Sequence, residues 1–221
     1  MRSKFDEQLA LLNRDLTKMG SLCEEALALA AKALANADGQ TAAKIAPIDS
    51  EIDQMERTIE SLCLKLLLQQ QPVARDLRQI SAALKMITDM ERIGDQASDI
   101  AEIIGFLNGR IGLDAQYICQ MAVAAMRMVT ESVEAYVKRD VAMAEATIQH
   151  DDIVDDLFLK VKDSLIQMIS ANPKDGEYAL DLLMIAKYFE RIGDHATNIA
   201  EWVVFSVTGV HEQGGIKLEQ K

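Results

Sequence analysis

The chain carries paired carboxylates twice. Glu91 and Asp95 open the segment ERIGDQASDIAE, Glu190 and Asp194 open ERIGDHATNIAE, and nine of the twelve residues agree. Upstream of each copy lies another pair in the same spacing, Asp49 with Asp53 and Asp151 with Asp155. Acidic groups at positions i and i+4 leave a helix on one side. A carboxylate removed from water is costly unless a cation meets it, and several gathered together either rise in pKa or hold a metal. Oxygen donors without cysteine suit magnesium, calcium, manganese, iron, or zinc with water completing its shell. Because a carboxylate can bridge ions, a multinuclear cluster also fits.

Such groups meet only if two helices fold back on one another, and the spacing asks for that. Asp53 and Glu91 each lie 19 residues from Pro72, and Asp49 and Asp95 each lie 23 from it. In the second copy Asp155 with Glu190, and Asp151 with Asp194, are symmetric about the Asn172/Pro173 junction. A helical hairpin at each turn therefore sets a Dx3D pair opposite an Ex3D pair at one height. Along the third helix Val73, Leu77, Ile80, Leu84 and Ile87 form an apolar stripe that continues as Glu91, Asp95, Ser98 and Glu102. The last helix repeats this, with Ala179, Leu183 and Ala186 leading into Glu190, Asp194 and Glu201. Acidic groups on the extension of an apolar stripe predict carboxylates that face inward, since solvated acidic faces lie opposite it. The alternative is ordinary helix surface balanced by Arg92 and Arg191. Arg92 is three residues from both Asp89 and Asp95, and such pairs contribute roughly a few tenths of a kcal/mol. Duplication and the matched heights weigh against it.

The repeat extends past the motif. An offset of 102 aligns Met19 with Met121, Asp38 with Asp140, Asp49 with Asp151 and Asp53 with Asp155, whereas the motif itself repeats at 99, which makes the first half three residues longer near Pro72. Turn signals at Asp38-Gly39, Gln71-Pro72, Gly109 to Gly112, Arg139-Asp140 and Asn172 to Gly176 cut the chain into six segments, each long enough for a helix of about 45 Å. Pro47 kinks the second segment or marks its true start. The expected fold is all-α: two tandem antiparallel three-helix bundles, residues 1–110 and 111–208, followed by a flexible tail, 209–221.

Composition agrees. Of 221 residues 49% are hydrophobic and only 5% aromatic, with three prolines, which favours helix throughout. A net charge of −12 argues against nucleic-acid binding, which needs a basic footprint. Cys23, Cys63 and Cys119 form no CxxC and read as small apolar groups of a reducing compartment. The N-terminus has no signal-peptide pattern and no run is apolar enough to span a bilayer, so the expected location is cytoplasmic, with the membrane reached only through partners. No glycine-rich phosphate loop, nucleophile elbow or Glu-x-x-His pair is present, so an enzyme is not expected. His195, one residue past Asp194, is expected at the surface or rim rather than as a ligand. Met19, Met121, Met126 and Met128 are expected in the core, and Trp202 with Phe205 at the end of the bundle.

The doubled ERIGDxAxxIAE motif with its upstream Dx3D pairs resembles the PhoU family of phosphate-uptake regulators over about residues 3 to 208. The resemblance implies two three-helix bundles side by side. It also implies transition-metal clusters of iron or zinc at Glu91, Asp95, Glu190 and Asp194, with Asp49, Asp53, Asp151 and Asp155 as the facing pairs. Asp99 and Asn198, at corresponding positions, are further candidate metal residues, and the first cluster would carry one more negative charge. The implied role is negative control of the phosphate-starvation response and of phosphate uptake, by linking the ATPase subunit of a phosphate ABC transporter to a sensor histidine kinase. A homodimer is implied as well. A helical bundle that only stores or buffers metal is the competing reading.

Overall fold

The computed structural model describes residues 2–69, 72–107, 109–110 and 115–210. Gln71 of the predicted Pro72 turn, the Gly112 end of the glycine junction and the tail beyond Val210 fall outside them. Six long helices, α1 (Arg2–Asn36), α3 (Ile45–Gln69), α4 (Ala74–Phe106), α5 (Gln116–Lys138), α7 (Asp151–Ala171) and α8 (Gly176–Thr208), are joined by two short ones, α2 (Gly39–Ala42) and α6 (Val141–Gln149). A 3-10 turn, Pro173–Asp175, leads into α8. No strand occurs among the described residues.

The repeat reaches into the turns. α1 is followed by Ala37 at φ 42° and α5 by Arg139 at φ 58°, both left-handed although neither is glycine. In each case the following N–H reaches back across the turn, from Asp38 to the Ala33 carbonyl at 2.9 Å and from Asp140 to the Ala135 carbonyl at 2.9 Å. These are left-handed caps that satisfy carbonyls otherwise left open at a helix end. The aspartates then cap the next helix: Asp38 accepts from the Gln40 N–H at 2.9 Å and Asp140 from the Met143 N–H at 3.0 Å. Pro47 sits in the first turn of α3, where its missing N–H costs nothing, so it marks the start of that helix and not a kink.

α1, α4, α8 and α5 form a closed ring of neighbours; α3 lies across α1 and α4, and α7 across α5 and α8. The two bundles thus share one continuous hydrophobic core. Met19, Met121 and Met128 are buried in it, Met126 packs against it, and Cys23 and Cys63 are buried thiols. Trp202 and Phe205 meet edge to face with centroids 5.5 Å apart. Among the described residues no helix is long and apolar enough to cross a membrane.

One expectation needs correction. Val73 is 58% and Leu77 48% exposed, and Leu84 is half-buried, so of the predicted stripe Ile80 and Ile87 lie on the buried face of α4 and the rest do not. That face is broader, running through Ile80, Ala83, Met86, Ile87, Met90, Ile93, Ala97 and Ile100. α4 is enclosed by α1, α3 and α8 together, so its buried arc is wider than one stripe. The line leading to Glu91 and Asp95 runs along a flank, and its carboxylates sit at the rim of the α3/α4 groove, with Asp95 exposed and Glu91 half-buried.

Candidate metal centre

The α3/α4 hairpin brings the first predicted set together. Oxygen atoms of Asp49, Asp53 and Asp95 lie within 4.8 Å of one another. Glu91 stands one turn along α4. Burial first, then Asp95, Glu56 and Asp53, push its carboxyl above the usual range against the pull of Arg92. Asp95 is raised by burial and then by Asp49, Asp53 and Asp99. Asp49 is raised by burial against a hydrogen bond from the Ser98 hydroxyl, which donates to Oδ2 at 2.8 Å. Its other oxygen, Oδ1, is buried with no hydrogen-bond partner.

The glycine of the motif explains how the helices come so close. A Cβ on Gly94 would stand 2.7 Å from Asp49 Oδ1 and 3.0 Å from Ile52 Cδ1. The bare backbone of α4 therefore forms the floor on which the Asp49 carboxylate lies. Gly193 does the same for the second set, where a Cβ would stand 3.2 Å from Asp151 Oδ1. Sequence reasoning passed over these glycines; a glycine inside a long helix was the signal, since it costs helix stability unless something must approach.

In the second set Asp151 is pushed up to about 6 by burial and by Asp194, Asp155, Glu190 and Asp152. Asp155 and Asp194 are also raised, each by burial first and Glu190 next, with Lys187 opposing. Lys187 is the difference: its ammonium pairs with both oxygens of Glu190 and lies 5.5 Å from the Phe158 ring centroid. The corresponding residues of the first half are Thr88 and Glu56, whose side chains meet at 3.4 Å. Among the described residues three carboxylates converge within 4.8 Å only in the first set.

The motif positions that differ between halves do not line a shared kind of site. His195, expected at the surface, is 9% exposed and pairs through Nδ1 with Oδ1 of Asp89 at 2.8 Å, Asp89 itself being 7% exposed. Asn198 turns the same way, its amide 3.4 Å from Asp89 Oδ1, and so points across to α4 rather than into the second carboxylate set. Tyr188 stands at the repeat position of Asp89, and its phenol is raised by burial and then by Asp99, the repeat counterpart of Asn198. The two helices thus cross with their equivalent positions exchanged. Arg92 approaches Asp89 at 3.9 Å. The physical reason for the miss is that position 195 lies on the α8 face covered by α4, which one helix read alone cannot show.

The donors therefore fit a cation: oxygen ligands only, one of them buried and unpartnered, on a glycine floor that leaves room for them. Asp49, Asp53, Glu91 and Asp95 would hold it in the first half, with Asp151, Asp155, Glu190 and Asp194 as the corresponding set.

Comparison with known proteins agrees with this architecture. The family model described as the PhoU domain matches twice, at residues 16–104 and 118–203. A protein of Clostridium acetobutylicum named phosphate-specific transport system accessory protein PhoU homolog is 36% identical over 210 residues, covering 94% of this chain and 96% of that one. The crystal structure of PhoU from Pseudomonas aeruginosa superposes with a TM-score of 0.89 at 33% identity, over 93% of this chain and 100% of that one. That of the phosphate transport system regulatory protein PhoU from Streptococcus pneumoniae gives 0.85 at 26% identity, over 94% and 98%. With the domain present twice in tandem and relatives aligned along nearly the whole length, the chain belongs to the PhoU family.

Proposed function

We propose that this chain is a regulatory accessory protein of phosphate transport, acting as a non-enzymatic adaptor. The role follows the names of its relatives, which are accessory or regulatory proteins of phosphate transport systems. In this reading it works as a cytoplasmic homodimer that connects the ATPase subunit of a phosphate ABC transporter to a sensor histidine kinase and keeps the starvation response silent when phosphate is plentiful. Its carboxylate sets bind iron or zinc, which hold α3 to α4 and α7 to α8 in one geometry.

The observation that carries the metal reading is Asp49 Oδ1, buried without a hydrogen-bond partner beside Asp53 and Asp95. A buried acceptor with nothing to accept from is costly, and a cation removes that cost together with the mutual repulsion. Elemental analysis of purified protein beside Glu91→Gln/Glu190→Gln is expected to show metal in the first and a clear loss in the second; equal, negligible metal in both would end this reading. The adaptor role is tested separately, with a phosphate-repressed reporter in a deletion strain and pull-down of the ATPase and kinase. Normal repression in that strain together with bound metal would leave a metal store instead.

A further inference from the structure

At one end of the molecule three arginines come together, with Asp76 beside them. Arg75 and Arg78 lie on the first turns of α4, and Arg139 is the left-handed C-cap of α5. Gln79, next to Arg78, ties Arg139 to α4: its Oε1 accepts from Arg139 Nη1 at 3.2 Å, while its own carbonyl accepts from the Tyr136 hydroxyl at 2.9 Å. Its side-chain amide faces Asn13 Oδ1 at 3.4 Å. Arg139 is therefore held in place before any ligand arrives. Arg78 passes under the end of α8, with its Cδ and Nε 3.6 Å from where a Cβ on Gly209 would stand. That Nε is buried and has no hydrogen-bond partner.

Among the described residues none of the three forms a salt bridge. In a chain with 35 acidic and 23 basic residues, gathering three cations beside one acid is not the default. Asp76 is the acid that faces them. Burial and then Arg75, with Arg78 adding to it, hold the Arg139 guanidinium below its ordinary value, against Tyr136 and Asp76. Beneath them α4 begins at Ala74, and its N-cap residue Val73 supplies no side-chain cap to the first amides of this 33-residue helix. Unsatisfied N–H groups and the helix dipole favour an anion there.

The repeat supplies an internal control. Lys174 in the turn before α8, and Glu177 and Tyr178 in its first turn, occupy the positions of Arg75, Arg78 and Gln79. There the charge is neutralised locally: Arg110 pairs with Asp175 at 2.6 Å and lies 4.0 Å over the Tyr178 ring, with Glu177 and Asp181 alongside. The position of Arg139 is taken by Ala37. One backbone, built twice, is self-neutralised at one end and left positive at the other.

We propose that Arg75, Arg78 and Arg139, gathered over the start of α4, form a receptor for a phosphate-type oxyanion, presented by free inorganic phosphate or by a phospholipid headgroup. Guanidinium forks match phosphate oxygens two at a time, and a dianion with three or four oxygens engages several forks where a single carboxylate engages one. The site stands apart from the carboxylate sets and does not depend on the adaptor reading.

The test uses the full chain, stripped of metal by a chelator so that a metal cannot take up the anion. Inorganic phosphate is titrated calorimetrically at constant ionic strength against chloride, and sedimentation is followed with phosphatidylcholine vesicles with and without phosphatidic acid. Saturable binding in either arm is expected. It should weaken by roughly tenfold or more in Arg78→Gln/Arg139→Gln, weaken measurably in Arg75→Gln, which alters only an exposed side chain, and persist in Arg127→Gln/Lys160→Gln, which removes equal charge elsewhere. Vesicle binding without phosphate binding assigns the headgroup as the source. No saturable binding in either arm, or an equal loss in the control variant, overturns the proposal.

Discussion

The two carboxylate sets share a backbone and differ in how they manage their charge. In the α3/α4 groove Asp49, Asp53, Glu91 and Asp95 are joined by Glu56 and by Asp99, and three of them converge within 4.8 Å. In the α7/α8 groove Phe158 replaces Glu56, Asn198 replaces Asp99, and Lys187 is tied to Glu190. Each set thus has one paired cation, but Lys187 meets Glu190 where that carboxylate is 15% exposed, whereas Arg57 meets Asp53 at 3.3 Å on the rim, where the carboxylate is 40% exposed. Compensation in the second half is incomplete, because Lys187 serves Glu190 and leaves Asp151 against Asp194. Duplicated geometry therefore need not mean duplicated affinity. The first seat should hold a metal ion more tightly than the second.

The largest effect is expected where the halves lock across the α4/α8 crossing. His195→Leu leaves Asp89 buried without its nearest partner, and loss of one side of a buried pair costs about 3 kcal/mol. Tyr188→Phe, on the exchanged side, should cost about 1 kcal/mol, a single hydrogen-bonding group. Urea unfolding compares them, and equal losses would mean that the crossing is not built unequally.

Next come the glycine floors. Alanine gains about 1 kcal/mol over glycine inside a helix, so Gly193→Ala, with only a 3.2 Å approach to relax, should be nearly neutral. Gly94→Ala must move Asp49 and Ile52 and should be net destabilising by about 1 to 2 kcal/mol, with metal lost from the first seat. Thermal unfolding and metal content read both. The seats can also be made alike: Lys187→Thr removes the resident cation and should tighten metal binding in the second half by about tenfold, near 1.4 kcal/mol, as read by competition with a chelator. An unchanged affinity would show that Lys187 does not compete.

The smallest effect is on pH dependence. The Asp151 pKa is raised in the folded chain from 3.8 to about 6, so its stabilising share is complete below 3.8 and is lost as pH rises through about 6. Metal-free protein should melt several degrees lower at about pH 8 than at about pH 5. Asp151→Asn should flatten that slope, and saturating metal should reverse it.

Much of this was legible in the sequence. The six long helices and their hairpins follow from period and turn chemistry, and equal distances from Pro72 placed Asp49 opposite Asp95 correctly, because a hairpin of straight helices keeps register. The rim position of Glu91 and the burial of His195 were not legible, since both depend on how many neighbours surround α4 and α8. A stripe on one helix records that a side is covered, and only the assembled ring shows how wide the cover is. Gly94 and Gly193 carried information in plain view, as residues whose presence in a helix makes sense only against a close neighbour.

Each half exposes, on α1 with α4 or on α5 with α8, an apolar wall that only the other half covers. A chain of half this length would leave that wall in water, and a second copy of itself is the surface that fits it. With both copies in one chain the contacts at the seam need not be identical, and Asp89 with His195 differs there from Tyr188 with Asp99.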